Sequence, residues 1–134
     1  MKVKILLFVS MLHFFFLFLP VGNAANDYGT GTHLLRACYN SINMEENRGY
    51  DSASSLHCSS IITGVVDTIM LYEGLLVSSN ASKRFICMPK KPVSVSQGTR
   101  IVVNYLKTNP NKLHERDTGL IQLAFLDAFP CKKK

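Results

Sequence analysis

Beyond residues 5–21, which are almost continuous hydrocarbon, apolar side chains return along this chain at steps of three and four, the period of helices that turn one face to a core. Leu34, Leu35, Cys38, Tyr39 and Ile42 form the first such stripe, with Thr32 placed to cap it. Residues 25–31 show no apolar period and are expected to form a flexible leader. Residues 43–55 are polar, with Gly49 as a turn, and lead into a central helix over about residues 54–73. Its stripe is Cys58, Ile61, Ile62, Val65, Ile69 and Tyr72. Gly64 inside it costs roughly 1 kcal/mol against alanine; it marks either the close approach of a neighbouring helix or nothing structural. Residues 78–83 are expected to loop, and residues 84–89 to form a short extended piece fixed by Cys87. Ser94 and Gln97 have the spacing of a capping box and open a third helix carrying Val95, Ile101, Val102, Tyr105 and Leu106. That helix stops at Asn109, because the following Pro110 disfavours helical geometry there. After one turn over residues 110–113, a last helix over residues 115–129 points Leu120, Leu123, Ala124 and Ala128 inward. No stretch alternates with period two. The expected fold is all-α, a small four- to five-helix domain.

The hydrocarbon run changes the picture of where the chain works. It follows Lys2 and Lys4 and gives way to Gly22 and Ala24 at the −3 and −1 positions of a cut before Ala25, the arrangement of a secretory signal peptide. Residues 1–24 are therefore read as the signal and residues 25–134 as a single domain, exported and without a stable membrane anchor after cleavage. About 17 apolar residues sit at the lower limit for spanning a bilayer, and Pro20 breaks the run as a cleavage region does. Removal of the signal leaves 110 residues, one modest core. Thirteen basic residues then face nine acidic ones, and Lys132, Lys133 and Lys134 supply three of the thirteen, so the folded body is nearly neutral. No interleaving of basic and aromatic residues suggests nucleic acid.

Four cysteines, Cys38, Cys58, Cys87 and Cys131, are an even count in a small exported domain and read as two disulfides. Their intervals of 20, 29 and 44 residues do not suit zinc, whose ligand pairs lie two to four residues apart. Of the three possible pairings, the expected one joins neighbours in sequence, Cys38 to Cys58 and Cys87 to Cys131. The catalytic case is poor. His57 beside Cys58 is the single local nucleophile and base candidate, but adjacent helical residues diverge by about 100° and a disulfide sulfur is no nucleophile. His33, His57 and His114 read as surface or helix-terminal residues, and no phosphate loop, nucleophile elbow or zinc-protease helix occurs. No cofactor, no metal and no catalytic residue is expected; a binding protein is.

Cys87-Met88-Pro89, Gln97, Val102-Val103-Asn104-Tyr105-Leu106, Asn109-Pro110, Leu113-His114 and the closing run Ala124-Phe125-Leu126-Asp127-Ala128-Phe129-Pro130-Cys131 resemble the Rap/Tai family of type VI secretion immunity proteins. Leu34-Leu35 with Cys38, and Cys58 with Ile61, Gly64-Val65 and Asp67, fit the same family. The resemblance covers roughly residues 31–131. It implies a disulfide-bonded, all-helical periplasmic protein, commonly a homodimer, that binds and blocks a peptidoglycan amidase effector by occluding its active site. A periplasmic stress chaperone or an orphan binding protein of the same fold is the alternative.

For the partner surface, the two long connections are the segments free to project, and loops on a rigid scaffold are where binding residues concentrate. The second connection holds Lys83, Arg84, Lys90 and Lys91 around Met88, Pro89 and Pro92. Proline lowers the entropy lost on docking, and the charges suit an enzyme cleft lined with acidic groups. These residues, with Met88, are the expected contacts; Glu45, Glu46 and Arg48 in the first connection are the reserve.

Overall fold

The computed structural model describes residues 27–79 and 85–131; the proposed signal, Lys83, Arg84 and the Lys132 to Lys134 tail lie outside them. Among the described residues four helices follow one another: α1 (Gly31–Glu45), α2 (Ser52–Ser78), α3 (Val95–Thr108) and, after a 3-10 turn at Pro110–Lys112, α4 (Asp117–Ala128). Among the described residues there is no strand, only two isolated antiparallel bridges, Thr30 with Arg116 and Ile86 with Pro130. The all-α expectation holds.

The helix ends show which local signals operate. Thr30, not Thr32, caps α1, its hydroxyl accepting from the His33 N–H at 3.4 Å. The bridge to Arg116 holds Thr30 extended, while Thr32 sits inside the first turn and donates its hydroxyl to the Leu113 carbonyl. Residues 27–31 are consequently no free leader: Asp117 N–H donates to the Gly29 carbonyl and Gly31 N–H to that of Glu115. Asp27 also pairs with Arg36 at 2.9 Å, and that hydrogen bond holds the Asp27 carboxyl below the ordinary 3.8.

α2 is longer at both ends than its stripe suggests. Asp51 caps it two residues early, accepting from the Ala53 and Ser54 N–H groups, which shortens the first connection to residues 46–51. The Ser54 hydroxyl and these N–H groups hold the Asp51 carboxyl below 3.8. A folded-state pKa below the unfolded one contributes stability above about pH 4 that is lost as the solution is acidified through the folded value. Asp51→Ala should therefore lower stability at neutral pH and flatten its fall below pH 4, read by denaturant titrations across that range. At the other end Gly74 does not break the helix. The Ser78 and Ser79 hydroxyls instead close it by donating back to carbonyls of the last turns. Ser94 caps α3 as expected, accepting from the Gln97 N–H at 3.2 Å.

The core is built from all four helices: Leu34, Ala37 and Cys38 of α1, Cys58 and Ile62 of α2, Val102 and Leu106 of α3, and Leu120, Ile121 and Phe125 of α4. The Cys38–Cys58 disulfide lies inside it, its Cα atoms 5.0 Å apart. Cys87–Cys131 ties the extended segment before α3 to the end of α4 at 4.9 Å. Both pairings are the expected ones. Four assigned core positions are exposed instead: Tyr39 and Val95, Tyr72 on the far part of α2, and Ala128 in the last turn of α4. Val95 occupies the first turn of α3, where the chain has not yet reached the core.

Of the two readings of Gly64, the structure favours the one without a close neighbour, and the tightest glycine is Gly31. Nothing lies within 4 Å of where a Gly64 Cβ would be, whereas one on Gly31 would meet Leu120 Cδ1 at 2.5 Å and the Leu113 Cα at 3.0 Å. Backbone cannot swing aside as a side chain can. Gly31→Ala should destabilise the fold by about 1–3 kcal/mol, measured as a fall in the denaturation midpoint at unchanged slope.

Candidate functional site: a partner-binding surface

The second connection is anchored over the part described. Cys87 is disulfide-bonded and its N–H donates to the Phe129 carbonyl at 2.9 Å, and Ile86 bridges to Pro130. Met88 and Val93 are half-buried and packed against the core; with Pro89 and Pro92 they line a shallow cavity of about 210 Å³ whose other wall includes Ile62, Val66 and Phe125. Between these anchors Lys90 and Lys91 are exposed. Met88 thus fixes the base of the connection while the two lysines form its accessible crest. Lys83 and Arg84, the other two basic residues assigned to this surface, lie outside the described residues.

The first connection offers less free charge. Glu45 accepts from the Ser96 hydroxyl at 2.9 Å and pairs with Arg100 at 3.3 Å; Glu46 pairs with Arg48 at 2.6 Å. These side chains tie α1 to α3 and to their own turn. A surface pair of this kind contributes little stability, but a charge already held is less available to a partner.

A second surface was not foreseen. Met70, Leu71, Tyr72, Leu75 and Val77 on the last turns of α2 are exposed, as are Phe85 and Leu126 nearby. Tyr72, Phe85 and Leu126 border a groove of about 700 Å³ between α2 and α4, which Glu115, Arg116 and Gln122 also line. Buried Glu73 stands in its wall and accepts from the Phe85 and Ile86 N–H groups. That explains why an acidic residue replaces Tyr72 at the inward position: it supplies an acceptor to backbone that no helix or strand satisfies. The available signal was composition, because from Ile69 to Val77 α2 is apolar on every side and a stripe cannot be read from it.

Cys58 is buried and committed to its disulfide, and among the described residues no three or more histidine, cysteine, aspartate or glutamate side chains gather as metal ligands. α2 is long and apolar enough to cross a membrane by length and composition, though most of that apolar stretch is exposed; its buried face packs against the other three helices. Compared with known proteins, residues 30–131 match the family model of the Rap1a immunity proteins. No curated protein and no solved structure matches the chain.

Proposed function

Because the chain belongs to the Rap1a immunity protein family, we propose that it is exported to the periplasm and there binds and inhibits a type VI secretion peptidoglycan amidase effector. The family match over residues 30–131 carries this reading. Inhibition works by occlusion: the Lys90 and Lys91 crest, stiffened by Pro89 and Pro92 and based on Met88, enters the enzyme's cleft, with Lys83 and Arg84 extending the same basic segment. An inhibitor of this kind needs a rigid platform and complementary charge, not a nucleophile. The test is direct. A purified amidase effector encoded beside this chain should lose peptidoglycan hydrolysis on addition of a stoichiometric amount of the protein and elute with it as one complex. Undiminished hydrolysis with separate elution overturns the reading.

The apolar end of α2 supports a homodimer as the acting form. From Thr68 to Ser79 its single charged residue is the buried Glu73, so two copies can meet across a two-fold axis there without opposing like charges. Light scattering at tens of micromolar should give twice the chain mass, and Leu71→Glu with Leu75→Glu should halve it. A monomer in the unaltered protein rejects the dimer.

A further inference from the structure

His33, in the first turn of α1, and His57, in the second turn of α2, are 24 positions apart in sequence and in contact in space. Their ring centres stand 4.7 Å apart at 63°, and Tyr28 lies against both, at 4.8 and 5.5 Å. The neighbouring Cys38–Cys58 disulfide clamps the two helices together at this point. Within the cluster His33 Nδ1 and His57 Nε2 are both buried and neither has a hydrogen-bond partner. A buried imidazole nitrogen without a partner is costly, and two in contact require a reason.

We propose that His33 and His57 form a two-imidazole site for a borderline transition-metal dication of the Zn²⁺, Ni²⁺ or Cu²⁺ class. Neutral imidazole is the ligand these ions share. With metal–nitrogen bonds of about 2.0–2.1 Å, two imidazoles on one ion have ring centres about 4.5–5.2 Å apart, from right-angle to tetrahedral bonding; the observed spacing is 4.7 Å. Since no third ligand of the usual kinds gathers among the described residues, water or a group from outside this chain completes the coordination. Tyr28, with most of its surface in solvent, is the ring that would move to admit the ion.

Binding to the folded form alone raises the melting temperature. The untagged protein in excess ZnCl₂ or CuCl₂ should melt about 5 °C or more above the metal-free protein. His33→Gln and His57→Gln should each abolish the rise and His114→Gln, an exposed histidine elsewhere, should keep it. The unaltered protein gives a second readout. Zn²⁺ should shift the ring resonances of both His33 and His57 with saturation at one ion per chain, and Cu²⁺ should show paramagnetic coupling to two imidazole nitrogens. No rise in melting temperature, a rise that survives in the folded double variant, or ring resonances indifferent to Zn²⁺ would overturn the site.

Discussion

Breaking Cys87–Cys131 by Cys87→Ala with Cys131→Ala should cost about 4 kcal/mol, because the bridge closes a loop of 44 residues whose restriction in the unfolded chain scales with the logarithm of its length. The corresponding loss for the 20-residue loop of Cys38–Cys58 is about 3 kcal/mol from chain entropy. A domain of this size has only about 5–15 kcal/mol in hand, so full reduction should leave it at the edge of unfolding. The order of reduction follows from burial. Both sulfurs of Cys38–Cys58 belong to fully buried residues in the core, whereas Cys87 and Cys131 are half-exposed. Mild reductant should therefore open Cys87–Cys131 first and release residues 85–88 from the end of α4, with the helical circular-dichroism signal largely retained; stronger reduction should then collapse that signal. Peptide mapping of partly reduced protein checks the order. Recovery of free Cys38 and Cys58 with Cys87–Cys131 intact would contradict it.

The second large effect is expected on inhibition. Lys90→Glu with Lys91→Glu reverses both charges at the crest of the second connection without touching Met88, Val93 or Cys87, which anchor it. Affinity for the cognate amidase should fall at least tenfold, about 1.4 kcal/mol. Charge steers encounter as well as holding the complex, so part of the loss should appear as slower association that is less sensitive to salt. Thermal stability should stay within about 0.5 kcal/mol of the unaltered protein, as for exposed residues away from structural features. Unchanged inhibition by the folded double variant would remove Lys90 and Lys91 from the interface. The first connection would be a poor substitute, since Glu45, Glu46 and Arg48 are already engaged with Arg100, Ser96 and one another.

The sequence by itself determined the helical class, the stop at Asn109 and the cap at Ser94, because each rests on local chemistry: a period, a proline ring and a hydroxyl three residues ahead of an N–H; it also pointed to the two disulfides between cysteines neighbouring in sequence, which the fold brings together. It also placed the chain in its family. Tertiary structure alone decided the rest. Thr30 took the cap from Thr32 because a bridge to Arg116, far along the chain, fixed its backbone. Glu73 went inward and Tyr72 outward because a stripe identifies a buried face only when the opposite face is polar, and the end of α2 is apolar all round. Gly31 rather than Gly64 sits at a close approach because closeness depends on which backbone arrives opposite, and here Leu113 does. The meeting of His33 and His57 belongs to the same class. No spacing within either helix announces it; it follows from the crossing of α1 and α2 beside their shared disulfide.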